Sequence, residues 1–165
     1  MLAFSGATCA IVVALDQWSK AWIREFLPPG MVVQITGRLH LTHVHNTGLV
    51  FGVGQGNVLL PTLASIIILV LMPIIIWRAH HEYGYSPSLM ESGCIALIAG
   101  GALGNLIDRI GLQHVTDFIL VRLFSDTYWP AFNVADMAIV CGTILLIISV
   151  IHRDLRHARH PIGTT

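Results

Sequence analysis

The sequence predicts an all-α membrane protein, with four transmembrane helices that carry a small extracytoplasmic β-sheet subdomain. Of its 165 residues, 55% are hydrophobic and only 11% are charged, whereas a soluble domain has about a quarter charged residues. Four apolar stretches are long enough to cross about 30 Å of hydrocarbon as helices. They lie at about residues 4–26, 58–77, 89–110 and 132–151.

The first stretch differs from the others because charged residues interrupt it. Asp16 and Lys20 stand four residues apart, so on a helix they share one face and are predicted to form an ion pair that faces the bundle interior and positions other polar residues. The stretch lacks a basic segment before its apolar run, which argues against a cleaved signal peptide. The second stretch contains Pro73, which a membrane helix tolerates when its neighbours satisfy the freed carbonyl.

Two longer connections, at about residues 27–57 and 111–131, lie on the same predicted outer side. In the first, apolar and polar residues alternate from Val33 to Thr42, which indicates a half-buried strand or a hairpin bent at Gly37. In the second, Val115 to Phe124 is rich in β-forming residues. We expect a small sheet on the outer membrane surface, over the mouth of the bundle.

Charge sets the predicted orientation. Four spans place both termini on one side, and the tail carries Arg153, Arg156 and Arg159. Positively charged segments remain cytoplasmic. The number of basic residues does not decide the orientation, because the other side carries Arg24, Arg38, Arg109 and Arg122. The clustered tail favours cytoplasmic termini, which we therefore expect. Residues 1–165 are predicted to form a single integral membrane domain.

Composition also excludes several classes of function. Nine basic residues balance nine acidic ones, so the chain lacks the basic face that nucleic acid requires. Cys9, Cys94 and Cys141 lie in apolar runs and are predicted to be small buried hydrophobic residues. The histidines near residue 43 lack the carboxylate or cysteine that would complete a metal site. The sequence therefore predicts neither a metal nor a cofactor.

The end of the third span combines small and polar residues. Gly100 and Gly104 form a GxxxG pattern that allows close helix packing. Asn105 and Arg109 share one helix face. They could anchor the helix at the membrane interface, with Arg109 extended towards water, or form a polar patch beside a site that holds an anionic or carbonyl group.

Two aspartates flank the outer connection that ends at the fourth span. Asp117 lies in an apolar loop or strand, and Asp136 lies inside the apolar run. Asn133 could cap the fourth helix, with Asp136 at the third helical position, or Asp136 could be a catalyst. Two close carboxylates can share one proton and act as an acid and a base. Spacing alone permits this pair without proving it.

Together these segments resemble the bacterial lipoprotein signal peptidase (signal peptidase II) family. The resemblance covers the chain from the first span to the fourth, in the family's order. The matching motifs are Asp16-Gln17-Trp18-Ser19-Lys20, Asn46-Thr47-Gly48 with Phe51, the run from Gly100 to Arg109, Val115-Thr116-Asp117-Phe118, and Phe132-Asn133-Val134-Ala135-Asp136.

The resemblance implies an aspartic endopeptidase of the bacterial inner membrane, with its active site near the outer face. Such enzymes remove signal peptides from diacylglyceryl-modified prolipoproteins, cut before the lipidated cysteine, and are inhibited by globomycin. Asp117 and Asp136 match the catalytic dyad, and Asp16 and Lys20 match a supporting pair. Positions that match substrate-binding or dyad-supporting residues are Asn46, Gly48, Asn105, Arg109 and Asn133.

A small polytopic transporter or proton-conducting bundle is the alternative, because it would also keep ionisable groups among its helices. It predicts polar residues through the whole membrane depth. Most of the polar residues here cluster near one surface.

Overall fold

The computed structural model describes residues 2–48 and 56–159, and within these ranges the side chains of residues 2, 154 and 157–159 are left out. These residues form four long helices and four strands. They are α1 (Leu2–Phe26), β1 (Val32–Gln34), β2 (Leu39–Asn46), α2 (Leu59–Tyr83), α3 (Leu89–Leu112), β3 (Val115–Phe124), β4 (Thr127–Phe132) and α4 (Val134–Arg159).

Within the described residues, three helices are long and apolar enough to cross a membrane: α2, α3, and α4 from Val134 to Arg153. The sequence predicted four. Helix α1 has 25 residues, which is length enough, but its last three turns carry Asp16, Lys20, Arg24 and Glu25. Composition therefore separates α1 from the other three.

Helices α2 and α4 both run past their predicted ends. Helix α2 continues from the predicted residue 77 to Tyr83, and α4 from 151 to Arg159. In α2 the extension is polar, and Arg78 forms an ion pair with Glu82 at 2.8 Å. Such i,i+4 pairs support a helix beyond the apolar run, so hydrophobicity alone underestimates the length.

The four strands form one antiparallel sheet in the order β1-β2-β3-β4. The predicted hairpin at Gly37 is confirmed, since the Ile35 N–H donates to the Leu39 carbonyl at 2.9 Å. Strand β3 spans the predicted residues. Val33 and Leu41 pack on an apolar cluster that includes Ile23 of α1. The sheet therefore lies against the end of the bundle where α1 and α3 finish and α4 begins, which we call the sheet end.

The polar side of β2 is more buried than its alternation predicts. His40 and Thr42 are 5% and 2% exposed, whereas Leu39 is 37% exposed. A register irregularity between Leu41 and Val44 interrupts the pairing with β3. A bulge of this kind changes which side chains face inward, and it places both Thr42 and His43 inside.

Helix α3 lies at the centre and packs closely on α1 and α4 through glycines. A Cβ atom at Gly100 would lie 2.9 Å from Val12, and one at Gly104 would lie 2.6 Å from the Asp16 carboxylate. A Cβ at Gly101 would collide with the Ala135 carbonyl of α4. The predicted packing role of the GxxxG pattern is confirmed for α1, and Gly101 extends it to α4.

Candidate active site

Asp117 lies in β3, opposite Val44 of β2, and only 2% of it is exposed. Each of its carboxylate oxygens accepts a side-chain amide N–H, from Asn133 at 2.6 Å and from Asn46 at 2.8 Å. Burial, and then the negative charge of Asp136, raise the pKa of Asp117 to about 7, while the two amides and Lys20 oppose the rise. Asp117 is thus a carboxyl group that can hold a proton near neutral pH.

Asp136 occupies the first turn of α4 and is both a capping residue and a member of this cluster. Its N–H donates to the side chain of Asn133 at 2.9 Å, and its carboxylate accepts the Asn133 N–H at 3.1 Å. The other carboxylate oxygen accepts the Asn105 amide at 2.8 Å. The cap that the sequence predicted for Asn133 is present, and it leaves the Asp136 carboxylate beside Asn105.

Asn133 and Asn105 connect the two aspartates. Besides its bond to Asp117, the Asn133 amide donates to the Asn105 side-chain oxygen at 3.2 Å. Lys20 donates to that same oxygen at 2.8 Å. Because Asn105 accepts twice through its oxygen, its nitrogen is left to face Asp136.

Asn46 and Gly48 form a turn that orients the side-chain amide of Asn46, the second donor to Asp117. The Gly48 N–H donates to the Asn46 side-chain oxygen at 2.9 Å, which directs the Asn46 nitrogen towards Asp117. Phe51, quoted in the same motif, lies outside the described residues.

Both aspartates border one cavity of about 580 Å³. Asn46, Gly48, Asn105 and Arg109 line it as well, so the predicted shared face of Asn105 and Arg109 is confirmed. The other walls are mostly apolar and come from α2, β4 and α4: Pro61, Ala64, Ile68, Trp129, Pro130, Ala131, Phe132, Met137, Ile139 and Val140.

Arg109 lies at the wall of this cavity and is 9% exposed. Its guanidinium donates to the Ser65 hydroxyl of α2 at 3.2 Å. It thus crosses from α3 to α2, and it is not extended towards water. This placement favours the polar-patch interpretation over the interfacial anchor.

The predicted pair of Asp16 and Lys20 is present at 2.8 Å, and neither side chain is exposed. Sequence reasoning missed its third member, Asp108, whose carboxylate lies 3.3 Å from Lys20. The spacing of Asp108 in the sequence could have identified it. Asp108 follows Gly104 by four residues, so it lies on the helix face that the glycines bring against α1.

One prediction about the cysteines is wrong. All three thiols are free, but only Cys94 is buried, Cys9 is partly exposed, and Cys141 is exposed. Cys141 lies on the side of α4 that borders the cavity, so an apolar run does not imply burial inside the bundle.

Comparison with known proteins identifies the family to which the chain belongs. The profile of the signal peptidase (SPase) II family matches residues 8–152. The chain belongs to the signal peptidase II family. A lipoprotein signal peptidase of Syntrophomonas wolfei is 42% identical over 91% of this chain and 94% of its own length. One of Moorella thermoacetica is 41% identical over 92% and 95%.

Solved structures agree with this assignment. A bacterial membrane enzyme determined by the in meso method at 2.3 Å resolution is 27% identical and has a TM-score of 0.82, over 100% of this chain and 95% of that one. A second, at 1.9 Å resolution, is 28% identical with a TM-score of 0.72, over 91% and 94%.

Membership of the signal peptidase II family supports a membrane peptidase over a transporter or a proton-conducting bundle. The same family and the apolar helices identify a bacterial membrane protein.

Proposed function

We propose that the protein is an aspartic endopeptidase that removes signal peptides from diacylglyceryl-modified prolipoproteins, with Asp117 and Asp136 as its catalytic dyad. One observation carries the proposal: carboxylates from separate elements, β3 and α4, both bond to Asn133 and border one cavity. Aspartic proteolysis requires two such carboxyl groups that share a proton.

The environments of the two aspartates support different roles for them. Asp117 is almost fully buried, and its pKa is raised to about 7, so it can hold the shared proton near neutral pH. Asp136 lies in the first turn of α4, where its carboxylate accepts N–H groups from Asn105 and Asn133. In this assignment Asp136 is the base.

The reaction then follows from proton positions. Asp136 takes a proton from a water molecule as its oxygen attacks the scissile carbonyl carbon, and Asp117 donates its proton to the carbonyl oxygen. When the tetrahedral intermediate collapses, the C–N bond breaks and a proton passes from Asp136 to the leaving amine. Asp117 recovers a proton from the hydroxyl of the intermediate, and the dyad returns to its starting state.

The cavity suits a lipid-anchored peptide. Its apolar walls match acyl chains and a signal-peptide segment that remain among membrane lipid. Asn46, Gly48 and Arg109 line the same cavity and can bind the peptide backbone near the dyad. The cut falls immediately before the lipidated cysteine, and inhibitors of the globomycin type occupy the same cavity.

Neither metal nor cofactor takes part in the proposed reaction. Each of the four carboxylate oxygens of the dyad accepts a nitrogen donor, and a cation would have to displace these donors. Attack by water needs only the acid and the base.

The membrane placement is also a proposal. Helix α1 is the fourth membrane helix, because the two charged residues inside its apolar run face the bundle: Asp16 and Lys20 are fully buried, whereas Ile11 and Leu15 are 59% and 51% exposed. The sheet end faces outward from the inner membrane. Arg78 and Arg153 lie near the opposite end, at the α2–α3 connection, and keep that end and both termini cytoplasmic.

Cysteine labelling tests this orientation. In a chain without native cysteines, Gln34→Cys in β1 should react with an impermeant thiol reagent in intact cells. Tyr83→Cys, at a position that is 82% exposed at the other end, should react only after lysis. The opposite pattern would place the site on the cytoplasmic side and contradict the proposal.

The direct test of function uses purified protein in detergent. It should cleave a diacylglyceryl-modified prolipoprotein before the modified cysteine and leave the unmodified precursor intact. Globomycin should block the reaction and EDTA should not. Equal cleavage of both precursors, or loss of activity with EDTA that zinc restores, would contradict the proposed function.

A further inference from the structure

Asp108 is a buried carboxylate that the proposed reaction does not use. It is 2% exposed and lies on α3. One of its oxygens accepts the backbone N–H of Thr116 at 3.0 Å and also faces Lys20 at 3.3 Å. Thr116 immediately precedes Asp117, so Asp108 holds the backbone that carries one member of the dyad.

Asp16 makes the equivalent contact beside the other member. One of its oxygens accepts the backbone N–H of Ala135 at 3.0 Å, and the other lies 2.8 Å from Lys20. Ala135 immediately precedes Asp136. The two carboxylates therefore hold matching positions, each one residue before a dyad aspartate.

Lys20 joins these two contacts. Its ammonium group contacts both carboxylates and the Asn105 oxygen, and it is fully buried. Strand β3 belongs to the sheet and α4 to the bundle, and Asn133 links the carboxylates of Asp117 and Asp136 directly. The shared ammonium adds a second link that acts on the backbones, because it attaches the residues before both aspartates to the same point on α1.

We propose that Asp108 is a positioning residue of the dyad: it acts through the Thr116 N–H, and with Lys20 and Asp16 it sets the separation of Asp117 from Asp136. The inference rests on the proposed function of these aspartates. Asp108 does not itself line the cavity. Burying three charges is costly unless they are mutually bonded, and here the bonds also define a geometry.

Three substitutions separate positioning from general stability. Asp108→Ala removes the acceptor, so kcat should fall by about 100-fold, the loss that a shift of about 1 Å can cause, with KM little changed. Asp108→Asn keeps one oxygen for the Thr116 N–H and should retain much more of kcat. Glu91→Gln is the matched control, because Glu91 is a buried, ion-paired carboxylate at the other end of α3.

The pH profile gives a readout that a purely structural role would not move. If Asp117 shifts away from Asp136, their repulsion weakens, and the alkaline limb of kcat/KM should move to lower pH in Asp108→Ala. Glu91→Gln should lower the melting temperature and leave both kcat and this limb unchanged. A folded Asp108→Ala enzyme with wild-type kcat and an unmoved limb would overturn the inference.

Two further variants cover a misfolded Asp108→Ala protein and separate the positioning role from the proposed function. If Asp108→Ala does not fold, Asp108→Ser replaces it, since a serine hydroxyl is too short to reach the Thr116 N–H; equal kcat in folded Ser and Asn variants would overturn the inference. Asp117→Asn is measured in parallel. Activity in that variant contradicts the proposed function itself, whereas an inactive Asp117→Asn beside a normal Asp108→Ala contradicts only the positioning role.

Discussion

The two ends of the helix bundle bury charge for different purposes. At the sheet end, nine polar side chains of the described residues are each 4% exposed or less: Asp16, Lys20, Thr42, His43, Asn105, Asp108, Thr116, Asp117 and Asn133. At the other end, the described residues include one buried carboxylate, Glu91, which caps α3 through Ser88 and pairs with Arg153 of α4. Glu91 ties two helices together, whereas the sheet end also presents carboxylates to a cavity.

This difference predicts where substitutions affect chemistry and where they affect only stability. A buried ion pair that contacts neither the cavity nor the dyad's network contributes to the fold alone. A buried network that borders the cavity holds reacting groups in place and keeps a carboxyl group protonated near neutral pH.

Removal of either dyad carboxyl group should have the largest effect. Asp117→Asn and Asp136→Asn should each lower kcat by about 10³-fold or more, because an amide can neither take a proton from water nor hold the shared proton. Cleavage of a lipidated precursor measures the loss, and thermal unfolding in detergent confirms the fold. Substantial turnover by either folded variant would remove that residue from the dyad.

Substitution of Asn133 should have the next largest effect, because this residue both caps α4 and donates a hydrogen bond to Asp117. Asn133→Ser keeps a capping oxygen but loses the amide donor, so kcat should fall by about 10- to 100-fold while the melting temperature changes little. Asn133→Ala also loses the cap, which should cost about 1 kcal/mol of unfolding free energy more. Wild-type kcat in the serine variant would show that the bond to Asp117 has no role in the reaction.

A smaller effect should follow from crowding the contact between α3 and α4. A methyl group at Gly101 meets the Ala135 carbonyl, one residue before Asp136, whereas one at Gly111 on the same helix meets nothing within 4 Å. Gly101→Ala should destabilise the protein by about 1–3 kcal/mol and also lower kcat. Gly111→Ala should leave kcat unchanged and be neutral or slightly stabilising. Equal melting temperatures for the two variants would contradict the close packing.

Sequence predicted those parts of the site that depend on local spacing. Residues four apart on a helix share a face, which identified Asp16 with Lys20 and Asn105 with Arg109. Capping preferences identified Asn133, and β-forming residues gave β3 its bounds. Each of these depends only on the geometry of one element.

The contacts between elements could not be predicted in this way. Helical spacing fixes a side chain's direction relative to its own helix, but the rotation of α1 against α3 decides that Lys20 meets both Asn105 and Asp108. The same limit applies to the bond from Asn133 to Asp117, which joins α4 to β3. The irregularity of β2 between Leu41 and Val44 likewise depends on its pairing with β3.

The proton shared by the dyad provides the most direct test of the account. Because the pKa of Asp117 is raised to about 7, its carboxyl group is protonated below that pH and loses the proton above it. With a lipidated precursor, kcat/KM should therefore decline as pH rises through about 7. It should also decline in acid, where the dyad takes up a second proton. A profile that stays flat into strongly acidic buffer, or that shows no alkaline loss while thermal unfolding confirms the fold at each pH, would contradict a dyad that works with one proton.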